Sequence, residues 1–151
     1  MMQLKGIGHV LLRVLDLHRS KRFYSDVLGF RVLEEDPEHG GTFMALEGQS
    51  HAIDLFPVTD TEAAERQTPG VRGLGHIAFR VESEAALKDA YAALRVHGVE
   101  IARTIDHVSQ KSIYFHDPDG NTLEIYYELP DALAMFARGR EDRDAPLTLD
   151  R

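Results

Sequence analysis

The sequence predicts an α+β fold built from two tandem modules, each with the order β-α-β-β-β. The first observation is a repeated heptapeptide: Gly8–Val14 reads GHVLLRV and Gly75–Val81 reads GHIAFRV, with the two histidines 67 positions apart. The second is that Phe43–Asp54 aligns with Ile113–Glu124 without a gap. The third is that the same succession of helix and strand patterns follows each heptapeptide. Repetition of this kind indicates a duplicated structural unit.

The first module opens with a predicted strand over Ile7–Val14, where aliphatic side chains occupy every second position. Asp16 is placed to cap a helix that runs to about Leu28, because a short polar acceptor satisfies the free amides of a first turn. Gly29 follows where a left-handed residue commonly ends a helix. Three strands complete the module, around Phe30–Glu35, Thr42–Leu46 and Ala52–Phe56.

The second module repeats this order after Gly75–Val81. Ser83 is the predicted helix cap, and apolar residues from Leu87 to Leu94 recur with the spacing of one helix face. Gly98 marks the end of that helix. Three strands follow, around Val99–Thr104, Ser112–His116 and Thr122–Tyr127, and the turn sequence DPDGN joins the last two.

The two modules are predicted to form one domain, followed by a C-terminal segment. The domain covers about residues 5–129, with module 1 at 5–57, a polar linker at 58–72 and module 2 at 73–129. The C-terminal segment, 130–151, is expected to hold a short helix over Asp131–Arg138 and a charged, loosely ordered tail.

Composition restricts the partners and the chemistry. The 151 residues carry a net charge of −8, so no nucleic-acid partner is expected, because phosphates require a basic face. No apolar run approaches the ~20 residues of a membrane span, and the start of the chain lacks the apolar stretch of a signal peptide. We therefore expect a cytoplasmic protein with no membrane partner. Without cysteine, a bound metal depends on histidine, carboxylate or water ligands.

Four candidate metal ligands fall on one face of the predicted strands. His9 and His76 alternate away from the aliphatic positions of their strands, and Asp54 and Glu124 do the same in theirs. If the two sheets curve together, this face lines a cavity, and one divalent cation can partner all the ionisable groups inside it. We therefore predict a curved mixed sheet around a metal cavity. The alternative is that these are unrelated polar residues at strand ends.

Four motifs together resemble the vicinal oxygen chelate superfamily, over about Lys5 to Leu129. They are GHVLLRV with FYSDVLGF in the first half, and GHIAFRV with YFHDPDGNTLEIYYE in the second. This superfamily of paired βαβββ modules includes glyoxalase I, extradiol ring-cleaving dioxygenases, fosfomycin resistance proteins, methylmalonyl-CoA epimerase and bleomycin-binding proteins. The resemblance implies a divalent metal held by His9, His76 and Glu124. It also implies a small-molecule substrate with two adjacent oxygens and a homodimer.

Asp54 occupies the fourth ligand position of the superfamily, which in glyoxalase I is usually a glutamate that also transfers the proton. Aspartate is one methylene shorter, so a metal bond, a base role and a solvated carboxylate all stay open for Asp54. Two histidines with one carboxylate suit Fe(II), or Mn, and leave positions open for substrate. A set with Asp54 as fourth ligand is closer to Zn or Ni chemistry.

Two further residues favour the dioxygenase branch. Tyr114 lies ten residues before Glu124, the spacing of the active-site tyrosine in those enzymes. The stretch DHVSQKSIY, Asp106–Tyr114, resembles the dioxygenase segment that ends in that tyrosine, and His107 within it would act as an acid or base. The alternatives are a half-buried strand tyrosine and an exposed loop histidine.

The resemblance therefore implies an enzyme, and we interpret it first as an extradiol-type dioxygenase that uses Fe(II) and a catechol-like substrate. A glyoxalase I-like lyase or an epimerase-type isomerase, with Asp54 or Glu124 as the base, is the second interpretation. A metal-free drug-binding protein is the third. The other five histidines are interpreted as surface or turn residues: His18, His39, His51, His97 and His116.

Overall fold

The computed structural model describes residues 2–59, 73–139 and 143–149. The chain divides into two compact units, Met1–Thr68 and Pro69–Arg151. Both units have the β-α-β-β-β order and a mixed sheet, which confirms the predicted α+β class with tandem modules. Most of the predicted linker, residues 60–72, lies outside the described residues. Within the described ranges, no helix is long and apolar enough to cross a membrane.

The first unit is a four-stranded sheet with one helical segment. Its strands are β1 Val10–Val14, β2 Arg31–Glu35, β3 Thr42–Ala45 and β4 Ile53–Pro57, in the sheet order β1-β4-β3-β2. β1 and β4 are parallel, whereas the other neighbouring strands are antiparallel. In β1, Leu12 and Val14 are buried while Leu11 and Arg13 are exposed, which confirms the predicted alternation.

The helical segment of the first unit begins where the sequence predicts and contains one unexpected turn. Helix α1 covers Leu17–Arg22 and continues as a π-helical turn over Phe23–Val27. The carboxylate of Asp16 caps it, accepting a hydrogen bond from the backbone N–H of Arg19 at 2.9 Å. The π turn fully buries Tyr24. The apolar spacing did not predict this turn, because one extra residue in a turn shifts the period only locally.

The second unit is a five-stranded sheet with two helices. Its strands are β5 Ile77–Val81, β6 Ile101–Asp106, β7 Gln110–His116, β8 Thr122–Glu128 and β9 Ala145–Pro146, in the order β5-β8-β7-β6-β9. Helix α2 covers Glu84–Val96 and helix α3 covers Ala132–Arg138. The Ser83 hydroxyl caps α2 as predicted, accepting from the backbone N–H of Ala86 at 3.1 Å. Leu87 and Leu94 of α2 are buried.

Strand register places the two candidate carboxylates at matching positions of the two units. In the first unit Leu11 of β1 lies beside Asp54 of β4, and in the second Ala78 of β5 lies beside Glu124 of β8. Each carboxylate therefore neighbours the residue two positions after the repeated histidine. This pairing gives the duplication a structural basis.

The β3–β4 hairpin of the first unit and the β7–β8 hairpin of the second differ in length by one residue. The gap-free alignment of Phe43–Asp54 with Ile113–Glu124 is therefore wrong. It matches Met44 with Tyr114, but Phe43 is the β3 residue opposite Asp54, just as Tyr114 of β7 is opposite Glu124. The path from β3 to β4 is one residue longer than the path from β7 to β8. Sequence similarity did not reveal this, because the extra residue lies in the connecting segment.

The described part of the C-terminal tail, residues 143–149, contains a short strand that the sequence did not predict. Strand β9 pairs antiparallel with β6. The Thr104 hydroxyl donates a hydrogen bond to the carbonyl of Leu147 at 2.6 Å, and Leu149 is buried. Backbone pairing with β6 and the burial of Leu149 hold this segment against the rest of the second unit.

Candidate metal centre

The first unit brings His9 and Asp54 together as the sequence predicts. His9 immediately precedes β1, and Asp54 lies within β4 with only 2% of its surface exposed. The distance from His9 Nε2 to Asp54 Oδ2 is 3.6 Å. A buried carboxylate is costly unless it is hydrogen-bonded or paired, so this placement requires partners.

His51 is a third member of this group: it lies in the connection before β4, and its interpretation as a surface or turn residue did not include a contact with Asp54. Its Nδ1 lies 2.8 Å from Asp54 Oδ1, and its ring centroid lies 4.5 Å from that of His9. The ligand atoms of His9, His51 and Asp54 all lie within 4.8 Å of one another, so this group can hold a metal ion. The only sequence signal was a histidine three residues before a candidate carboxylate, which is a weak one.

The second unit brings His76 and Glu124 together in the same way. His76 immediately precedes β5, and its Nε2 lies 3.0 Å from Oε2 of Glu124, which is 2% exposed. The other carboxylate oxygen accepts a hydrogen bond from Gln110 Nε2 at 2.9 Å. Sequence reasoning missed Gln110. Its amide holds one oxygen of Glu124 and leaves the other facing the imidazole.

Tyr114 and His107 form a contact beside this pair. His107 Nε2 lies 2.9 Å from Tyr114 Oη, and Tyr114 is only 5% exposed. The His107 side chain is 13% exposed, so the alternative of an exposed loop histidine is wrong. Burial raises the pKa of the Tyr114 phenol, and the neighbouring charge of Glu124 raises it further. The phenol is therefore a hydrogen-bond donor at neutral pH.

A tight turn between β6 and β7 presents His107. The backbone N–H of His107 donates to the carbonyl of Gln110 at 2.8 Å, and Val108 N–H donates to the Asp106 carboxylate at 2.9 Å. Val108 has φ +68°, a left-handed conformation that is unfavourable for a β-branched residue. A strained backbone of this kind is kept only where several surrounding contacts hold it in place.

Four histidines keep the interpretation of surface or turn residues. His39 contacts Asp36 in the turn before β3 with its side chain 63% exposed, and His18, His97 and His116 are also exposed. Together the two units supply two histidine–carboxylate pairs at equivalent positions. Among the described residues, the first pair has the imidazole of His51 beside it, and the second has the phenol of Tyr114 with the imidazole of His107.

Comparison with known proteins identifies the family. Residues 6–125 match the Glyoxalase/Bleomycin resistance protein/Dioxygenase superfamily. The chain therefore belongs to this superfamily, the vicinal oxygen chelate proteins, whose enzymes use a divalent metal and whose members act on small molecules.

Individual relatives differ in their named activities. Biphenyl-2,3-diol 1,2-dioxygenase 3 of Rhodococcus globerulus is 31% identical, over 89% of this chain and 71% of its own length. The uncharacterized protein YwkD of Bacillus subtilis is 38% identical, over 83% of this chain and 98% of its own. Other relatives are named metallothiol transferase and lactoylglutathione lyase.

A solved structure supports the same fold. The glyoxylase/bleomycin resistance protein/dioxygenase domain from Frankia sp. EAN1pec aligns with a TM-score of 0.73 at 26% identity, covering 85% of this chain and 95% of that one. Family and fold are thus established, and they are compatible with several reactions.

Proposed function

We propose that this protein is a metal-dependent extradiol-type dioxygenase that cleaves the ring of a catechol-like substrate. The observation that carries the proposal is the 2.9 Å contact between His107 Nε2 and Tyr114 Oη, beside the buried carboxylate of Glu124. Proton transfer to and from a bound catechol needs an acid–base group within hydrogen-bond reach, and this enclosed pair provides one. The named activity of the Rhodococcus relative favours the same reaction.

The donor chemistry supports a divalent metal, with Fe(II) favoured and Mn, Zn or Ni as alternatives. We propose His9, His76 and Glu124 as the ligands, since two imidazoles and one carboxylate suit Fe(II) and leave positions open for substrate. Glu124 fits this role because Gln110 occupies Oε1 while Oε2 faces an imidazole. When bound, the metal supplies Lewis-acid stabilisation of two adjacent substrate oxygens and the capacity to react with dioxygen.

The side chains of the protein handle the protons in this proposal. The Tyr114 oxygen accepts a hydrogen bond from a substrate hydroxyl. As that hydroxyl gives its proton to Tyr114, the proton of Tyr114 passes to His107 Nε2, and the reverse steps return it. Because its pKa is raised, Tyr114 stays a neutral phenol at neutral pH. Gln110 keeps the carboxylate of Glu124 in one orientation through these steps.

The test is oxygen uptake by protein that has been loaded anaerobically with Fe(II) and mixed with a panel of catechols. We expect uptake with a yellow ring-cleavage product, abolished in His9→Ala. Tyr114→Phe should lower kcat about 10²- to 10⁴-fold at unchanged iron content, the usual contribution of one acid–base group. Tyr91→Phe, in α2, is the matched control and should keep full activity. Iron-loaded protein that consumes no oxygen with any catechol, yet converts methylglyoxal–thiol adducts, would contradict the proposal.

A lyase or isomerase of the glyoxalase I or epimerase type is the second candidate. The observation that favours it is Asp54, a buried carboxylate with an imidazole on each side, because a base in proton-transfer chemistry needs such a supported position. Asp54→Ala separates the two candidates. We expect this variant to keep dioxygenase turnover, and a loss of activity equal to that of His9→Ala would favour the lyase or isomerase.

A metal-free drug-binding protein is the third candidate and ranks last, because the buried carboxylates of Asp54 and Glu124 each face a histidine. For the first candidate, the dioxygenase, we also propose a substrate with two adjacent oxygens, a homodimer and a cytoplasmic location. Equilibrium dialysis against Fe(II) or Mn(II) addresses the third candidate, since a drug-binding protein of this kind should retain no stoichiometric metal.

A further inference from the structure

Both ring nitrogens of His107 have a partner, and the second partner comes from the end of the chain. Nε2 contacts Tyr114 Oη at 2.9 Å, and Nδ1 contacts Asp144 Oδ1 at 2.7 Å. An ionised carboxylate only accepts hydrogen bonds, so the hydrogen of the second contact must lie on Nδ1. In the neutral imidazole, Nε2 is then the acceptor that faces the phenol.

Strand pairing brings Asp144 to this position. In the β6–β9 pair, Ile105 lies beside Pro146 and Asp106 beside Ala145. The same antiparallel register, continued by one step, puts Asp144 opposite His107. The contact is therefore a consequence of the sheet, and the two residues are 37 positions apart in the chain.

Asp144 lies outside the part of the chain that matches the family, which ends at residue 125. The carboxylate is half exposed, at 46%, while the imidazole it contacts is 13% exposed. The backbone of His107 is itself fixed by the turn that contains the left-handed Val108. The turn thus fixes the backbone of His107, and Asp144 contacts its ring.

We propose that Asp144 is a positioning residue that fixes His107 as its Nδ1–H tautomer and leaves Nε2 to accept the proton of Tyr114. This inference deepens the proposed function and rests on it. As a substrate hydroxyl passes its proton to Tyr114 Oη, the O–H proton of Tyr114 moves to Nε2 of His107. The phenol stays neutral, the ring becomes an imidazolium, and the carboxylate of Asp144 stabilises its charge. The proton returns to the phenol by the reverse step, so no other reactant is needed.

The direct test is ¹⁵N NMR of histidine-labelled, metal-free, full-length protein, with the His107 signals assigned by their loss in His107→Gln. We expect wild-type His107 to show a protonated Nδ1 and an unprotonated Nε2. Asp144→Ala should shift the population toward Nε2–H, whereas Asp144→Asn should keep the wild-type pattern, because the amide oxygen still accepts from Nδ1–H. Asp89→Ala, on the exposed side of α2, is the control. An Nε2–H tautomer in the wild type, or an unchanged tautomer in Asp144→Ala, would overturn the inference.

A kinetic test links the tautomer to turnover. In Fe(II)-loaded protein, Asp144→Ala should lower kcat about 10- to 100-fold, by analogy with the loss when the outer hydrogen-bond partner of a metal-bound imidazole is removed. KM and iron content should stay unchanged, and Asp144→Asn should recover most of the rate. A rise in KM with kcat unchanged would overturn the role. The NMR result stands without any substrate, so failure of the dioxygenase proposal and failure of the Asp144 inference are distinguishable.

Discussion

Asp54 contacts one histidine that the sequence predicts near it, His9, and one that it does not, His51. Its equivalence to Glu124 was predictable, because repetition and strand alternation are local patterns that survive in the sequence. Its contact with His51 was not, because that depends on how the loop before β4 folds back. The same limit applies to Gln110 and Asp144, whose contacts depend on turn geometry and on pairing with a distant strand.

The contact between His51 and Asp54 leads to a stability prediction. His51→Ala removes the hydrogen bond at 2.8 Å from a carboxylate whose side chain is 3% exposed. Leaving a buried acceptor unsatisfied costs roughly 1–3 kcal/mol, so we expect the free energy of unfolding to fall by that amount in urea denaturation of the metal-free protein.

A matched control exists in the same unit. His39 and Asp36 form a second histidine–aspartate pair three residues apart, at 2.9 Å, but the His39 side chain is 63% exposed. His39→Ala should therefore cost clearly less than His51→Ala. Equal losses in the two variants would mean that the burial of Asp54 has no energetic consequence.

Secondary-structure elements followed the sequence closely where their signals are local. The caps at Asp16 and Ser83 and the apolar face of α2 were predicted, because each depends on residues within a few positions of one another. The π turn after α1 and strand β9 were missed. The first changes the period by one residue, and the second has only two paired residues with no apolar alternation of their own.

An ion pair between α2 and β7 leads to a prediction about how stability depends on pH. Lys111 Nζ lies 2.8 Å from Glu84 Oε2, and this hydrogen bond, with the attraction of the two charges, lowers the pKa of Glu84 below its ordinary value of 4.5. A carboxyl whose pKa is lower in the folded state stabilises the fold above its unfolded pKa. That stabilisation disappears as the pH falls through the folded-state value.

Lys111→Met keeps the apolar stem and removes the charge, so it should raise the pKa of Glu84 in a ¹³C NMR titration. The stability difference between wild type and variant should be present at pH 7 and shrink below pH 4.5 toward zero on acidification. Lys88 Nζ lies farther from the same carboxylate, 3.8 Å from Oε1, and lowers the pKa of Glu84 less than Lys111 does. Lys88→Met is therefore the matched control, and it should raise the pKa of Glu84 less than Lys111→Met. A difference that grows on acidification would contradict the assignment of the pair.

For the whole molecule, duplication was the strongest sequence signal and also the source of one error. Two copies of a βαβββ unit were visible from a heptapeptide and its spacing. The gap-free alignment of the hairpins then failed by one residue, because similarity cannot locate a single insertion within a connecting segment. Register between strands identified the error, since Phe43 and Tyr114 are the residues opposite the two carboxylates.

The proposed ligand set predicts that metal binding depends on both units. At a concentration 100-fold above Kd, a metal that binds only the folded protein adds about 2.7 kcal/mol of stability and raises Tm. We expect His9→Ala and His76→Ala each to abolish this rise in differential scanning calorimetry. A full rise retained in His76→Ala but lost in His51→Ala would instead assign the metal to the His9, His51 and Asp54 group alone.

The one-residue difference between the hairpins has a further consequence. Opposite its carboxylate, one copy carries the hydrocarbon ring of Phe43 and the other the phenol of Tyr114. A phenyl ring has nothing to donate or accept, so Phe43 can shield the neighbouring carboxylate from water but cannot pass a proton to it. The two units therefore present different groups at equivalent strand positions, and a chimaera built from two first halves would lack the phenol that the proposed reaction uses.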